Sequence, residues 1–285
     1  MQKIVITGAN GQLGQELRAA SQNYAQFEFV FLTKDDLEIS DDVSLEKVFS
    51  TTAPSFCINC AAYTGVDKAE IEKEKAFLIN AEAVGTLAKA CKKSNTKLIH
   101  ISTDYVFDGN SSTPLTEEDG VSPINVYGGS KLKGEQLAFT HNEQTIVIRT
   151  SWVYSEFGNN FVKTMIRLMN EKESINVIND QIGSPTYAAD LADTILQIIS
   201  SEKFIPGIYN YSNEGRISWY DFATAIKELV NSSCNINPIP TSQYPTPAKR
   251  PHFSLLDKRK IKDTYHVAIA DWKESLAVCI NRLSK

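Results

Sequence analysis

No stretch of this sequence approaches the roughly 20 consecutive apolar residues that a helix needs to cross a bilayer. Its first residues, MQKIVITGANG, lack the apolar core of a secretory signal peptide. Lysine and arginine are scattered and the formal net charge is −5, so the chain has no basic cluster that would attract nucleic acid or an anionic membrane. These absences favour a cytoplasmic protein that binds neither nucleic acids nor membranes.

Cysteine is scarce, and its count of five is odd, which fits a reducing compartment better than a secreted disulfide framework. Cys57 and Cys60 form a CxxC motif inside the apolar run SFCINCAA, which is typical of a buried strand. Redox pairs need an exposed, electropositive position, so we interpret both cysteines as packing residues. The four histidines show no metal-ligand spacing, and we predict no metal site.

Apolar segments of strand length alternate with helical segments through the first half of the chain. The strand-like segments are 3–7, 28–33, 55–61, 97–102 and 145–150, and the segments between them carry apolar residues three and four positions apart. Such alternation predicts a parallel sheet covered by helices on both faces. We therefore predict an α/β fold with a doubly wound, Rossmann-type parallel sheet.

The pattern changes after residue 150. It predicts a helix over 160–170, a strand over 174–178 and a helix over 188–200, then loop-rich sequence with prolines gathered at 237–251. A chain of 285 residues suits one large unit and one smaller unit. We predict a dinucleotide-binding domain at 1–150 and a smaller α+β substrate domain at 151–285, with some segments of the latter returning to the main sheet.

A glycine-rich turn follows the first predicted strand directly. It runs from Gly8 to Gly14 with the spacing GxxGxxG and leads into a helical segment. Glycine lets a backbone turn sharply and approach a pyrophosphate, whose charge is favoured by the free amides of a helix N-terminus. The alternative is a purely structural turn. Its place after the first strand favours a dinucleotide cofactor.

The end of the second predicted strand bears on which cofactor is used. Lys34 is suited to attract a 2′-phosphate, whereas Asp35 or Asp36 is suited to accept hydrogen bonds from ribose hydroxyls. NADPH and NADH therefore both remain open. A solvated turn explains the same charges equally well.

Tyr127 and Lys131 form a YxxxK pair, and a spacing of four places both side chains on one face of a helix. Reduction of a ketone needs a proton donor beside the forming alkoxide, and a free tyrosine has a pKa of about 10. A neighbouring ammonium stabilises the phenolate. The alternative is an exposed helical pair with no catalytic role.

A strand-end hydroxyl completes the candidate site. Thr103 directly follows the predicted strand over 97–102, at the edge of the sheet where ligands bind in open α/β folds. Its hydroxyl is suited to hydrogen-bond a substrate carbonyl oxygen and to orient Tyr127, and Ser102 is a strand residue or a second donor. A glycine-rich turn, a strand-end threonine and a downstream YxxxK in one chain predict a ketone reductase more specifically than any one of them.

The chain resembles the extended short-chain dehydrogenases/reductases and, among them, the dTDP-4-dehydrorhamnose reductase family. The resemblance spans nearly the whole chain. It is carried by GANGQLGQEL, NCAAYTGVDKAE, STDYVFDG, VYGGSKLKGE, RTSWVY, GNNFVKTM, QIGSPTYAADLA and RPHFSLLD.

The resemblance implies a set of binding residues. Those expected along NADPH or NADH are Gly8, Asn10, Gly11, Gln12, Leu13, Gly14, Glu38, Ile39, Ala61, Ala62, Tyr63, Thr64, Tyr127 and Lys131. Those expected at the substrate are Thr103, Asp104, Tyr105, Tyr127, Trp152 and Arg250. The family more usually has aspartate where Glu38 stands, and Tyr63 varies. For Trp152 a core aromatic is the alternative, and for Arg250, whose fork suits a diphosphate, a surface ion pair is the alternative.

The implied reaction is reduction of the C4 ketone of dTDP-4-dehydro-6-deoxy-L-mannose to dTDP-L-rhamnose, a precursor of cell-surface polysaccharide. Dehydratases of similar sequence place an Asp-Glu pair after the threonine because elimination needs an acid and a base. Here the pair is Asp104-Tyr105. A nucleotide-sugar epimerase and a non-catalytic regulatory subunit of this fold remain alternatives. The resemblance also implies a homodimer in some relatives, bridged by magnesium, whose ligands we do not assign.

Overall fold

The computed structural model of the chain describes residues 1–201 and 203–284. Within these residues the largest element is a parallel sheet of six strands. They are β1 (Gln2–Thr7), β2 (Phe27–Leu32), β3 (Phe56–Asn59), β4 (Lys97–Thr103), β5 (Thr145–Thr150) and β10 (Gly207–Tyr211). They lie in the order β2, β1, β3, β4, β5, β10, and all neighbours pair in parallel. The strand order reverses beside β1, where open α/β sheets form a ligand crevice.

Helices cover both faces of this sheet and also build a second layer beyond it. They are α1 (Gln12–Ala20), α2 (Asp42–Thr52), α3 (Val66–Ala69), α4 (Lys73–Phe77), α5 (Ala83–Lys93), α6 (Val126–His141), α7 (Phe161–Glu171), α8 (Ala188–Ser200), α9 (Trp219–Leu229), α10 (Arg259–Tyr265) and α11 (Trp272–Leu283). Short 3-10 turns occur at Ser21–Asn23, Asp104–Val106 and Thr241–Gln243, and a π-helical turn, Leu78–Glu82, joins α4 to α5. No helix of the described part of the chain is long and apolar enough to cross a membrane.

Alternating side chains of the strands explain why both faces are covered. In β1, Ile4 and Ile6 pack into one core with Leu17 of α1 and Leu191 of α8. Val5, between them, joins the core on the opposite face with residues of α2 and α5. Parallel strands buried on both faces are nearly continuous in apolar residues, as predicted. The structure thus confirms the doubly wound α/β fold.

The remaining strands form three small two-stranded sheets. The pairs are β6 (Val153–Tyr154) with β9 (Thr186–Tyr187), β8 (Ile182–Gly183) with β11 (Ile217–Ser218), and β7 (Ser174–Ile178) with β12 (Asn235–Ile239). Around them α7, α9 and α11 build a separate core with Tyr154, Met165, Phe222 and Leu276. Trp152 and Trp219 pack against this second core.

Most predicted elements are confirmed, and the segments over 145–150, 174–178 and 188–200 have the predicted bounds. The prediction of loop-rich sequence after residue 200 is wrong, since β10 is a regular strand and α9 and α11 are regular helices. Pro238 lies in β12. A two-stranded sheet leaves one edge of each strand unpaired, so a proline is tolerated there.

Candidate active site

Two adjoining cavities form one groove along the carboxyl ends of the main strands. The larger has a volume of about 650 Å³ and the smaller about 490 Å³. Gly11, Cys60 and Ala62 line both. The two cavities together therefore form an extended groove that suits a ligand such as a dinucleotide, with the glycine-rich turn where they meet.

The glycine-rich turn has no room for a side chain at Gly8 or Gly14. Gly8 has φ +67, and a Cβ there would lie 2.6 Å from the Ala61 nitrogen. A Cβ on Gly14 would lie 2.6 Å from the Gly8 oxygen. Gly11 donates its amide to the Gly8 oxygen at 2.9 Å and caps α1. The N-terminus of α1, whose first amides have no partner within the helix, thus faces the groove, an arrangement that fits a pyrophosphate.

The smaller cavity lies beyond β2. Lys34, Asp35, Glu38 and Ile39 line it. Asp36 does not, because its carboxylate closes a turn by accepting hydrogen bonds from the Thr33 amide (2.9 Å) and hydroxyl (2.7 Å). These bonds hold the pKa of Asp36 below its ordinary value. Of the three charged residues after β2, Lys34 and Asp35 therefore line this cavity, and Asp36 has a structural role.

The segment after β3 is divided between the groove and the interior. Ala61 lines the smaller cavity, Thr64 the larger, and Ala62 both. Tyr63 lines neither. Its backbone nitrogen and oxygen are held by the Asn80 side chain at 2.8 and 2.9 Å. The π-helical turn Leu78–Glu82 presents Asn80 at this point.

Thr103, Tyr127 and Lys131 all line the larger cavity. The start of α6 sets their positions: the Asn125 side chain accepts from the Gly128 amide at 2.7 Å. A Cβ on Gly128 would lie 2.1 Å from the Tyr105 oxygen, so only glycine lets the helix approach the end of β4 this closely. The three predicted catalytic side chains therefore converge on one space.

Burial raises the pKa of Tyr127 to about 12, a hydrogen-bonding interaction with the Thr103 side chain lowers it, and the Asp104 charge raises it. The phenol therefore keeps its proton at neutral pH. The Tyr105 ring packs edge-to-face against Tyr127, with ring centroids 5.8 Å apart. A neutral, partly enclosed phenol is suited to give a proton to a nearby oxygen that gains negative charge.

Lys131 is buried, and its Nζ donates to the Ile101 oxygen at 2.6 Å. Burial lowers its pKa to about 8, while the Glu135 and Cys60 side chains act in the opposite direction. The ammonium form thus still predominates at neutral pH. The charge of this lysine is consequently sensitive to its neighbours.

A buried ion pair that was not predicted from the sequence lies one helical turn after Lys131. Arg149 of β5 donates to both carboxylate oxygens of Glu135 at 2.7 and 3.0 Å. The Ser102 hydroxyl donates to the same carboxylate at 2.5 Å. Ser102 and Thr103 both line the larger cavity, but the Ser102 hydroxyl donates its proton to Glu135.

Asp104 is buried beside Thr103 and lines the cleft. Its Oδ1 accepts from the Thr103 hydroxyl at 3.0 Å, and its Oδ2 has no partner among the described residues. Burial raises the pKa of Asp104 to about 7, against the lowering influence of the Ser254 and Thr103 hydroxyls. A buried, unpartnered carboxyl oxygen in a cleft is suited to bind a hydroxyl of a ligand.

Aromatic side chains form the opposite side of the larger cavity. Trp152 lies there, as the resemblance implied, and Trp219 lies there too. Trp219 was not predicted as a site residue. It is the first residue of α9, which lies in sequence that was predicted to be loop-rich. The Gln12 side chain links α1 to the segment before α7, because its amide oxygen accepts a hydrogen bond from the Asn160 side chain at 2.9 Å.

Arg250 is not brought into this groove. Its guanidinium makes a two-pronged ion pair with Asp67 of α3, at 2.8 and 3.1 Å. It lines a neighbouring cleft of about 650 Å³ together with Tyr244, Lys249 and His252. The geometry corresponds to the ion-pair alternative.

The CxxC cysteines differ in environment. Cys57 is fully buried in β3 and Cys60 is partly exposed to the groove, and both are free thiols. Burial raises the pKa of Cys60 above its ordinary value. Its thiol is therefore protonated and unreactive, which matches a packing role better than a redox one.

Comparisons with known proteins agree with this geometry. The family model described as RmlD substrate binding domain matches residues 1–285. A dTDP-4-dehydrorhamnose reductase of Aggregatibacter actinomycetemcomitans is 40% identical, with 97% of each chain covered. A solved dTDP-4-dehydrorhamnose reductase of Clostridium acetobutylicum is 39% identical, with a TM-score of 0.96 and 100% of both chains covered. That of Bacillus anthracis, solved in complex with NADP, is 38% identical, with a TM-score of 0.95 and 99% and 100% covered. The chain belongs to the dTDP-4-dehydrorhamnose reductase family.

Proposed function

We propose that this chain reduces the C4 ketone of dTDP-4-dehydro-6-deoxy-L-mannose to dTDP-L-rhamnose, using NADPH or NADH. One observation carries the proposal: Thr103, Tyr127 and Lys131 converge in a cleft that continues into the glycine-rich turn. The names of full-length relatives at about 40% identity support the same substrate.

The groove fits the nicotinamide cofactor by its shape and by the lack of room at Gly8 and Gly14. When bound, the cofactor supplies a hydride. The residues that we propose to hold it are Gly8, Asn10, Gly11, Gln12, Leu13, Gly14, Glu38, Ile39, Ala61, Ala62, Thr64, Tyr127 and Lys131. Tyr63 stays in the proposal through its backbone position only, because its side chain does not line the groove.

Tyr127 is the proposed proton donor. As C4 is reduced, its oxygen gains negative charge, and the Tyr127 phenol transfers its proton to that oxygen. The Thr103 hydroxyl, which donates to Asp104 Oδ1 in the structure, turns to donate a hydrogen bond to the same oxygen. The Lys131 ammonium then stabilises the phenolate by its positive charge. Tyr127 thus supplies the proton, and Lys131 stabilises the negative charge that remains on the phenolate.

The other side of the cleft is proposed to bind the sugar. Trp152 packs against its apolar face, and Asp104 and Tyr105 lie at its polar edge. Arg250 stays in the proposal as a diphosphate contact, which requires its guanidinium to share or exchange Asp67.

The domain division is also a proposal. Residues 1–150 provide the cofactor groove and the catalytic side chains, and residues 151–285 provide Trp152 and the second core, with β10 returning to the main sheet. We further propose a cytoplasmic location, which the five free cysteines favour. A homodimer, with or without magnesium, completes the proposal and is tested by light scattering with and without the ion.

The test is to mix the protein with the dTDP-linked ketosugar and either NADPH or NADH. We expect loss of absorbance at the nicotinamide band, with equimolar formation of dTDP-L-rhamnose. An epimerase would convert the sugar without net loss of that absorbance, and a regulatory subunit would convert nothing. Either outcome contradicts the proposal.

A further inference from the structure

The indole of Trp219 lies flat against the indole of Trp152. Their ring centroids are 3.7 Å apart and their planes differ by 16°. Both side chains line the cleft that holds Tyr127 and Lys131. The two tryptophans come from different elements, the segment after β5 and the first residue of α9. The cleft thus has a wall of two stacked indoles, of which the proposed function uses one.

Trp152 is held in an unfavourable backbone conformation. Its φ is +48, in the left-handed region that bulky residues rarely adopt. Such a conformation persists only where the surroundings enforce it. Gly183 of β8 is one enforcing neighbour, because a Cβ there would lie 2.9 Å from Cζ2 of the indole. Trp219, stacked on the ring, is the other.

Trp219 is itself fixed from behind. The Phe161 ring lies 4.6 Å from it, centroid to centroid. At the start of α9 the Ser218 and Asp221 side chains form a reciprocal capping box, which sets where the helix begins. The Trp219 ring therefore has a rigid support on one side and Trp152 on the other.

We propose that Trp219 is a positioning residue for the sugar, holding Trp152 so that the two indoles form an apolar wall opposite Thr103 and Tyr127. This inference rests on the proposed function. The sugar of the proposed substrate lacks the C6 hydroxyl and so presents a methyl group and ring C–H bonds. An aromatic wall binds such an apolar face and leaves the C4 oxygen directed to the polar side. The wall acts on the sugar and not on the nucleotide.

The test compares affinities for dTDP-L-rhamnose and for dTDP, by calorimetry with saturating NADPH, which cannot react with the product. The dissociation constant for dTDP divided by that for dTDP-L-rhamnose isolates the contribution of the sugar. In Trp219→Ala we expect this ratio to fall about ten-fold, with KM raised by a similar factor. Trp219→Phe, which keeps a stacking ring, restores most of the ratio. A purely structural role would lower both affinities together and leave the ratio unchanged.

Trp272→Phe is the matched control. Trp272 belongs to the same second core but does not line the cleft. We expect its ratio to equal that of the unchanged protein. Since the chain has three tryptophans, this variant leaves only the stacked pair, whose circular dichroism should show an exciton couplet. Adding Trp219→Ala should abolish the couplet, and adding Gly183→Ala should alter it.

The outcomes separate the two proposals. A preserved ratio in Trp219→Ala, or an absent couplet in Trp272→Phe, overturns the role of Trp219 while the reductase activity stands. An unchanged protein that binds dTDP-L-rhamnose no better than dTDP and oxidises no NADPH overturns the proposed function, and this inference with it.

Discussion

The two sides of the cleft are built in different ways. One side consists of the ends of long parallel strands and the first turns of α6, and it carries the polar groups Thr103, Tyr127 and Lys131. The other consists of short two-stranded pieces and a helix start, and it carries stacked indoles. We thus assign proton transfer to the side built from long strands and α6, and recognition of the sugar to the side that carries the indoles.

This difference has a physical basis. Proton transfer requires fixed distances, which a sheet buried on both faces maintains, supported here by the Glu135–Arg149 pair behind Lys131. Recognition of an apolar sugar face requires area and shape more than a fixed hydrogen bond. We therefore expect changes on the polar side to reduce turnover, and changes on the aromatic side to reduce affinity for the sugar.

The largest effect is expected for Tyr127→Phe. Removing the proton donor should lower kcat about 10³-fold, while NADPH still binds and the fold is retained. Stopped-flow oxidation of NADPH and fluorescence titration of the cofactor measure the two quantities. Tyr24→Phe, on α1's side of the sheet and outside the cleft, is the control and should turn over normally. Near-normal turnover in Tyr127→Phe would remove the basis of the account.

Lys131→Met should lower kcat about 10²-fold and change the pH dependence. The Lys131 pKa is lowered to about 8 by burial, so the ammonium is lost as pH rises through that value. In the unchanged protein, kcat should therefore fall above about pH 8. Lys131→Met should lack this decline. A decline that persists in the variant would mean that another group titrates.

Glu135→Gln tests the support behind the polar side. The change leaves Arg149 buried without a charge partner. It should lower the free energy of unfolding by about 2 kcal/mol. Full removal of the side chain should cost more, because the amide oxygen of glutamine still accepts one of the Arg149 hydrogen bonds. Since Glu135 raises the Lys131 pKa, the decline in kcat should also move to lower pH. Glu171→Gln, which breaks the exposed pair with Arg167, should cost less than about 0.5 kcal/mol. Equal costs in the two variants would contradict this view.

Glu16→Gln tests a buried contact between residues 1–150 and residues 151–285. Glu16 of α1 is buried and accepts from the Ser155 hydroxyl at 2.6 Å. Burial, then the interaction with Glu156, raises its pKa from 4.5 to about 8. The folded chain thus holds a proton that the unfolded chain releases, and the associated stability is present below pH 4.5 and is lost as pH rises to about 8. The variant should be more stable than the unchanged protein at pH 8, with no gain at pH 4.5 in thermal melts. A gain that does not depend on pH would contradict the protonated state.

The smallest effect is expected at the cofactor end of the groove. Lys34→Ala should lower the preference for NADPH over NADH about five-fold, because a 2′-phosphate loses an attracting charge. Asp36→Asn should leave the preference unchanged, since that carboxylate is engaged with Thr33. Ratios of kcat/KM for the two cofactors decide. A larger change in Asp36→Asn than in Lys34→Ala would reverse the assignment.

Prediction from sequence succeeded where the signal was local. The segment over 145–150 is built around the apolar run 146–148, and all six of its residues are buried, so its bounds were predicted correctly. The Tyr127 and Lys131 spacing needed only one helix. Trp219 and the Asp67–Arg250 pair escaped prediction because each depends on a distant partner: Asp67 and Arg250 are 183 residues apart. Such contacts exist only once both halves have folded.

The central claim is that Tyr127 and Thr103 act on one substrate oxygen, and a double-mutant cycle tests it most directly. Single-turnover rates would be measured for Tyr127→Phe, Thr103→Val and the double variant at saturating NADPH and ketosugar. If both groups serve the same proton transfer, the double variant should be no more than about three-fold slower than Tyr127→Phe alone. Rates that fall by the full product of the two single effects would show that the phenol and the hydroxyl act independently, and would contradict the account.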